Sequence, residues 1–82
     1  MSTAPTITAV APPPLAVDAA TAARMCGVSP AHWYALLAAG RAPPGIRLGR
    51  SRRWTVAELS AWLAAGAPTA DRWAVMQGEH DA

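Results

Sequence analysis

Four arginines, Arg47, Arg50, Arg52 and Arg53, fall within the eight residues RLGRSRRW at positions 47–54 of an 82-residue chain that holds seven arginines and no lysine. A guanidinium keeps its charge at any physiological pH and presents its donors in a rigid planar fork, so this cluster suits a polyanion rather than proton transfer. No acid lies between Asp18 and Glu58 to neutralise it. Residues 15–66 set six arginines against those two acids, a net +4, whereas residues 67–82 set Arg72 against Asp71, Glu79 and Asp81, a net −2. The basic segment is where a polyanionic partner is expected.

The other reactive side chains are too scattered for catalysis. Cys26 is the single cysteine, so it forms no internal disulfide, and neither a CxxC pair nor a His/Cys cluster offers metal spacing. It occupies a helical apolar position, where a packed thiol in a reducing cytoplasm is expected. His32 has no Cys, Asp or second His beside it and is expected to be neither metal ligand nor catalytic base. A chain this short fills its interior with one core and leaves little room for an enclosed active site. The expectation is a protein that is not an enzyme and needs no cofactor or metal.

The elements that must position the arginines are legible around them. Asp18 caps a short alanine-rich helix over about residues 19–26, and Gly27, Val28 and Ser29 separate it from a second helix. Ser29 is the cap of that helix and Pro30 its first residue, and Trp33, Leu36 and Leu37 recur at the spacing of one buried face. Pro43 and Pro44 then stop helical structure. Ile46, Arg47 and Leu48 alternate as a half-buried strand, Gly49, Arg50 and Ser51 turn the chain, and Arg52, Arg53 and Trp54 return. Thr55 caps a third helix with Glu58 as its capping-box partner and Leu59, Trp62 and Leu63 facing inward. The fold class is mainly α with a small β-hairpin: helix-turn-helix, a two-stranded wing and a third helix. Leu15, Val28, Trp33, Leu36, Leu37, Ile46, Leu48, Trp54, Leu59, Trp62 and Leu63 are the expected core.

This order of elements, carried by DAATAARMCGVS, the AAG with its prolines through Pro44, IRLGRSRRW and VAELSAWLAAG, resembles the AlpA-type and excisionase-like helix-turn-helix domains, relatives of the MerR DNA-binding domain. The resemblance covers residues 15–66. It implies a winged helix-turn-helix that binds double-stranded DNA, with the second helix in the major groove and the wing on the backbone or in the neighbouring minor groove. Members act as transcriptional regulators or as excisionases that direct a recombinase, and none of these roles needs a cofactor.

Carried onto this chain, the DNA-binding residues are Ser29, Ala31, His32, Tyr34 and Ala35 of the second helix, Arg41 at its end, and Arg47, Arg50, Arg52 and Arg53 of the wing. Strand alternation ranks Arg50 and Arg53 first, then Arg47, then Arg52, because Arg52 shares the inward side of Trp54. One departure from the family is visible: positions 31, 35, 38 and 39 are all alanine, where polar or basic residues are common. An alanine face touches a thymine methyl but gives no bidentate contact to guanine. It therefore leaves a second reading open, a protein-interaction adaptor that keeps the fold without specific DNA readout.

Flanking the domain, residues 1–14 hold four prolines and read as a disordered Pro/Ala/Thr-rich tail with neither a secretory signal nor a membrane span. Residues 67–82 read as a C-terminal tail in which Trp73 either docks on the domain or holds a partner. Expected partners are double-stranded DNA, a second copy as a dimer or head-to-tail on DNA, and a recombinase or another regulator, in a cytoplasmic, nucleoid-associated setting.

Overall fold

The computed structural model describes residues 12–81. Most of the tail expected at residues 1–14 thus lies outside the described residues. The order is β1 (Ala16–Val17), α1 (Ala19–Met25), α2 (Pro30–Ala38), β2 (Ile46–Leu48), β3 (Ser51–Thr55), α3 (Val56–Ala64) and α4 (Ala70–Asp81). The three caps form as the residue types require: the amide of Thr21 donates to Asp18 Oδ1 at 2.9 Å, that of His32 to Ser29 Oγ at 3.1 Å, and that of Glu58 to Thr55 Oγ1 at 3.0 Å. Each satisfies one of the amides that the first turn of a helix leaves without a partner.

The strands form one antiparallel sheet in the order β1-β3-β2. β2 and β3 meet through the pairs Ile46↔Arg53, Arg47↔Arg52 and Leu48↔Ser51, and β1 adds Val17↔Trp54 on the other side of β3. The hairpin loop is therefore only Gly49 and Arg50. Gly49 takes φ +65° at the first position, where a tight turn matched to the strand twist needs glycine. With helix-turn-helix, wing and third helix in place, the fold is a winged helix-turn-helix.

Its core is built from tryptophan. Trp33 of α2 is fully buried and meets Trp54 of β3 and Trp62 of α3 edge-to-face, with ring centroids 5.7 and 6.1 Å apart. Around them close Val17, Ala22, Ala23, Ala42, Leu59 and Trp73. The small alanines of α1 let that helix pack directly against the large rings. Three indole N–H groups find acceptors: Trp54 donates to the Pro43 carbonyl at 2.7 Å and Trp62 to the Pro68 carbonyl at 2.9 Å, both in links between elements, and Trp73 to Glu58 Oε2 of α3 at 3.0 Å. Trp33 Nε1 is buried without a partner.

Several expectations are corrected here. Ile46 and Leu48 are not half-buried core residues but are 43% and 56% exposed. The register puts them on the face of Arg53 and Ser51, opposite Trp54, and the helical core covers only the Trp54 side. Leu15 and Leu63 are also exposed, while Ala42 and Pro43 are buried in the link before the wing. Glu58 does not complete a capping box, because its carboxylate is taken by the Trp73 indole. Two elements were not expected at all, β1 and α4. Of the two places left open for Trp73, the structure shows the domain itself: the ring is buried in the core, and the Ala70 amide ties the start of α4 to the Gly40 carbonyl at 2.9 Å.

Gly45 offers a direct check on how the wing is seated. It has φ +81°, and a Cβ there would lie 2.7 Å from the Arg53 carbonyl oxygen and 2.9 Å from the Trp54 ring. Gly45→Ala is expected to destabilise the fold by about 2–4 kcal/mol, a disfavoured backbone conformation plus a clash with backbone that has little freedom to move. Gly49→Ala, where a Cβ meets nothing within 4 Å, carries only the conformational part, about 1–2 kcal/mol. Urea midpoints of the two variants decide the matter; equal shifts would mean that the Gly45 contact does not hold the wing.

Candidate nucleic-acid interface

Trp33, Leu36 and Leu37 turn one side of α2 to the core, so the opposite side faces outward: Ala31, His32, Tyr34, Ala35, Ala38 and Ala39 are all exposed. Ser29 is exposed as well, but its hydroxyl oxygen is used in capping. Tyr34 is 58% exposed and stands at the edge of this surface nearest the wing. Arg41 is exposed just beyond the helix end.

Between α2, the start of α1 and β3 runs an open groove of about 340 Å³, lined by Tyr34, Arg50, Arg52, Arg53, Ser51 and Asp18 among others. The fold thus brings one aromatic hydroxyl of the second helix onto a common surface with three wing arginines. Ser29, Ala31, His32, Ala35, Arg41 and Arg47 do not line this groove, although all are exposed.

The arginines divide by their engagement. Arg50 stands at the hairpin tip and Arg47 on the edge strand, both exposed. Arg53 is half-buried and donates from Nη1 to the Arg52 carbonyl at 2.9 Å. Arg52 donates from Nε to the Pro44 carbonyl at 2.6 Å and lies over the Trp54 ring, 5.1 Å from its centroid.

Asp18 is the groove residue whose role went beyond its sequence signal, which announced only a helix cap. The Thr21 amide, then the Thr21 hydroxyl, hold its carboxyl below the usual range, and the nearby charges of Arg53 and Arg24 add to this. It therefore stays ionised and partly offsets Arg53 in the groove. The Pro44 carbonyl, acceptor of Arg52, had no signal in the sequence, because nothing local announces which backbone oxygen a distant side chain reaches.

Cys26 packs against the core, and burial pushes its thiol pKa up, which keeps it protonated and unreactive. Among the described residues no group of three or more His, Cys, Asp or Glu side chains could hold a metal ion, and no helix is long and apolar enough to cross a membrane.

Compared with known proteins, residues 17–67 match a family model described as a helix-turn-helix domain. No curated protein and no solved structure matches the chain.

Proposed function

Since this chain belongs to the helix-turn-helix domain family, we propose that it binds double-stranded DNA, with α2 in the major groove and the arginine wing against the backbone or in the neighbouring minor groove. The observation that carries the reading is the shared surface of Tyr34 with Arg50 and Arg53, because a duplex offers base edges and phosphates side by side and rewards a protein that meets both together. Within the family, the AlpA-type and excisionase-like order of motifs supports the finer role: a small transcriptional regulator, or an excisionase that directs a recombinase. A domain of this size spans only a few base pairs, so a second copy, as a dimer or head-to-tail on DNA, extends the site.

Affinity on this proposal comes largely from the wing. The outer side of α2 carries four alanines and only His32 and Tyr34 as polar groups. Base readout by such a helix is restricted to thymine methyls and single hydrogen bonds.

The test is a titration of duplex DNA at several salt concentrations. If Arg47, Arg50 and Arg53 each neutralise one phosphate, log affinity falls against log salt with a slope of about −2.7 per monomer, from roughly 0.9 per contact. Salt-independent binding, or none at low salt, would sink the DNA reading in favour of a protein-interaction adaptor, which the alanine surface of α2 would then serve. Selection of binding sites from random duplexes would next show whether α2 discriminates among sequences.

A further inference from the structure

By its place in RLGRSRRW, Arg52 has the reach of a phosphate contact, yet the fold lays it, still exposed, along the link before the wing. Its Nε donates to the Pro44 carbonyl at 2.6 Å while the guanidinium lies over Trp54, 5.1 Å from the ring centroid. Trp54 in turn donates to the Pro43 carbonyl at 2.7 Å and meets Trp33 of α2 edge-on at 5.7 Å. An unbroken series of contacts runs from the wing arginine, through one tryptophan, to the second helix.

We propose that Arg52 is a positioning residue: it clamps the wing to the Pro43–Pro44 link and so fixes the wing's direction relative to α2, rather than neutralising a phosphate. Its effect on affinity rests on the DNA reading above; the clamp itself does not. Three observations support it. First, the wing needs such a tie. β2 has three residues, all exposed, and pairs only with β3, whose own anchors, β1 and the buried Trp54, lie at the end away from the hairpin tip.

Second, the register sets Arg52 directly across from Arg47, where two like charges repel. Drawing Arg52 back to the Pro44 carbonyl relieves that repulsion and leaves Arg47 exposed to a partner. Third, the task needs arginine. A planar, weakly hydrated guanidinium lies flat on an indole while its edge donates a hydrogen bond, and a lysine ammonium does not reproduce both.

For DNA that touches α2 and wing at once, a clamped wing meets the second contact without ordering a loose hairpin. An unclamped one loses affinity to that ordering.

The experiment compares Arg52→Lys, Arg52→Ala, Arg50→Lys and Arg50→Ala in the full chain, by the same salt titration on duplex DNA and by hydrogen exchange of the indole N–H protons without DNA. Arg52→Lys keeps the charge but loses the clamp. Its line is expected to run parallel to that of the unmodified protein and about three- to tenfold weaker at every salt concentration, the scale of one stacked cation and one hydrogen bond. Arg50→Lys keeps its charge and is expected to keep the slope, and Arg50→Ala to flatten it by about 0.9.

In the same Arg52→Lys protein the Trp54 indole proton exchanges faster, while that of Trp62, bonded to Pro68, is unchanged. Arg52→Lys binding as tightly as the unmodified protein, with Arg52→Ala flattening the slope by about 0.9, would overturn the proposal and make Arg52 a phosphate contact. Should the unmodified protein bind no duplex, the DNA reading fails instead. The clamp is then judged by Trp54 exchange alone, and unchanged exchange in Arg52→Lys overturns it.

Discussion

Trp33→Ala is expected to remove a large part of the chain's stability at 25 °C, seen as a urea transition shifted to a much lower midpoint. Trp33 is fully buried and packs on two further tryptophans at 5.7 and 6.1 Å, so the deletion opens a cavity at the junction of α2, β3 and α3. Removing a buried tryptophan costs about 3–5 kcal/mol, and edge-to-face pairs add about 0.5–1.5 kcal/mol each beyond area. Against this, the stability of a domain of this length is on the order of 4–12 kcal/mol. One term runs the other way: Trp33 Nε1 is buried without a partner, and losing it removes an unsatisfied donor worth about 1–3 kcal/mol.

The balance still destabilises strongly. It also sets a contrast, since Trp33→Phe sheds the orphan N–H whereas Trp54→Phe leaves the Pro43 carbonyl without its 2.7 Å donor. Trp33→Phe is therefore the milder of the two. A sharp transition in Trp33→Ala, with its midpoint lowered by less than about 1 M urea, would show that the three rings do not hold the domain together.

What the sequence made legible was whatever is decided within a few residues. Asp18, Ser29 and Thr55 were readable as caps because the amide each one accepts from lies three residues along the chain. The tight hairpin was readable because Gly49 supplies a positive φ at the turn. The inward face of α2 was readable from the spacing of Trp33, Leu36 and Leu37. Distance along the chain is where legibility stopped.

Ile46 and Leu48 alternate as a buried strand should, yet which side of the hairpin is covered depends on helices elsewhere, and those cover Trp54. Glu58 carries the signal of a capping box, but its carboxylate is claimed by an indole 15 residues away. The site divided in the same manner. The arginine cluster and the outer residues of α2 were legible as types and spacings. That Arg52 is drawn to Pro44 and Arg53 lies half-buried near Asp18 was not, because the first needs the link folded against β3 and the second needs β1 paired with it.

Replacing Arg47, Arg50 and Arg53 together by alanine is expected to weaken duplex binding by about five-hundredfold at 0.1 M salt, the product of three phosphate contacts each worth about eightfold there. The size follows from counterion release: each neutralised phosphate frees roughly 0.9 of a condensed cation, and that release is favourable in proportion to how dilute the salt is. The loss therefore shrinks as salt rises, and the lines of the triple variant and the unmodified protein are expected to converge near 1 M.

That convergence separates lost phosphate contacts from a damaged fold, which would weaken binding by the same factor at every salt concentration. Stability should change little, since Arg47 and Arg50 are exposed and Arg53 donates only to a neighbouring carbonyl at the surface. The single substitutions rank Arg50 and Arg47 ahead of Arg53, which is half-buried and already donates to the Arg52 carbonyl. A slope unchanged in the triple variant would move the electrostatic footprint off the wing, to Arg41 and the other exposed basic residues. Arg41, exposed just beyond α2, would then hold the phosphate, while α2 itself adds only thymine-methyl contacts and single hydrogen bonds.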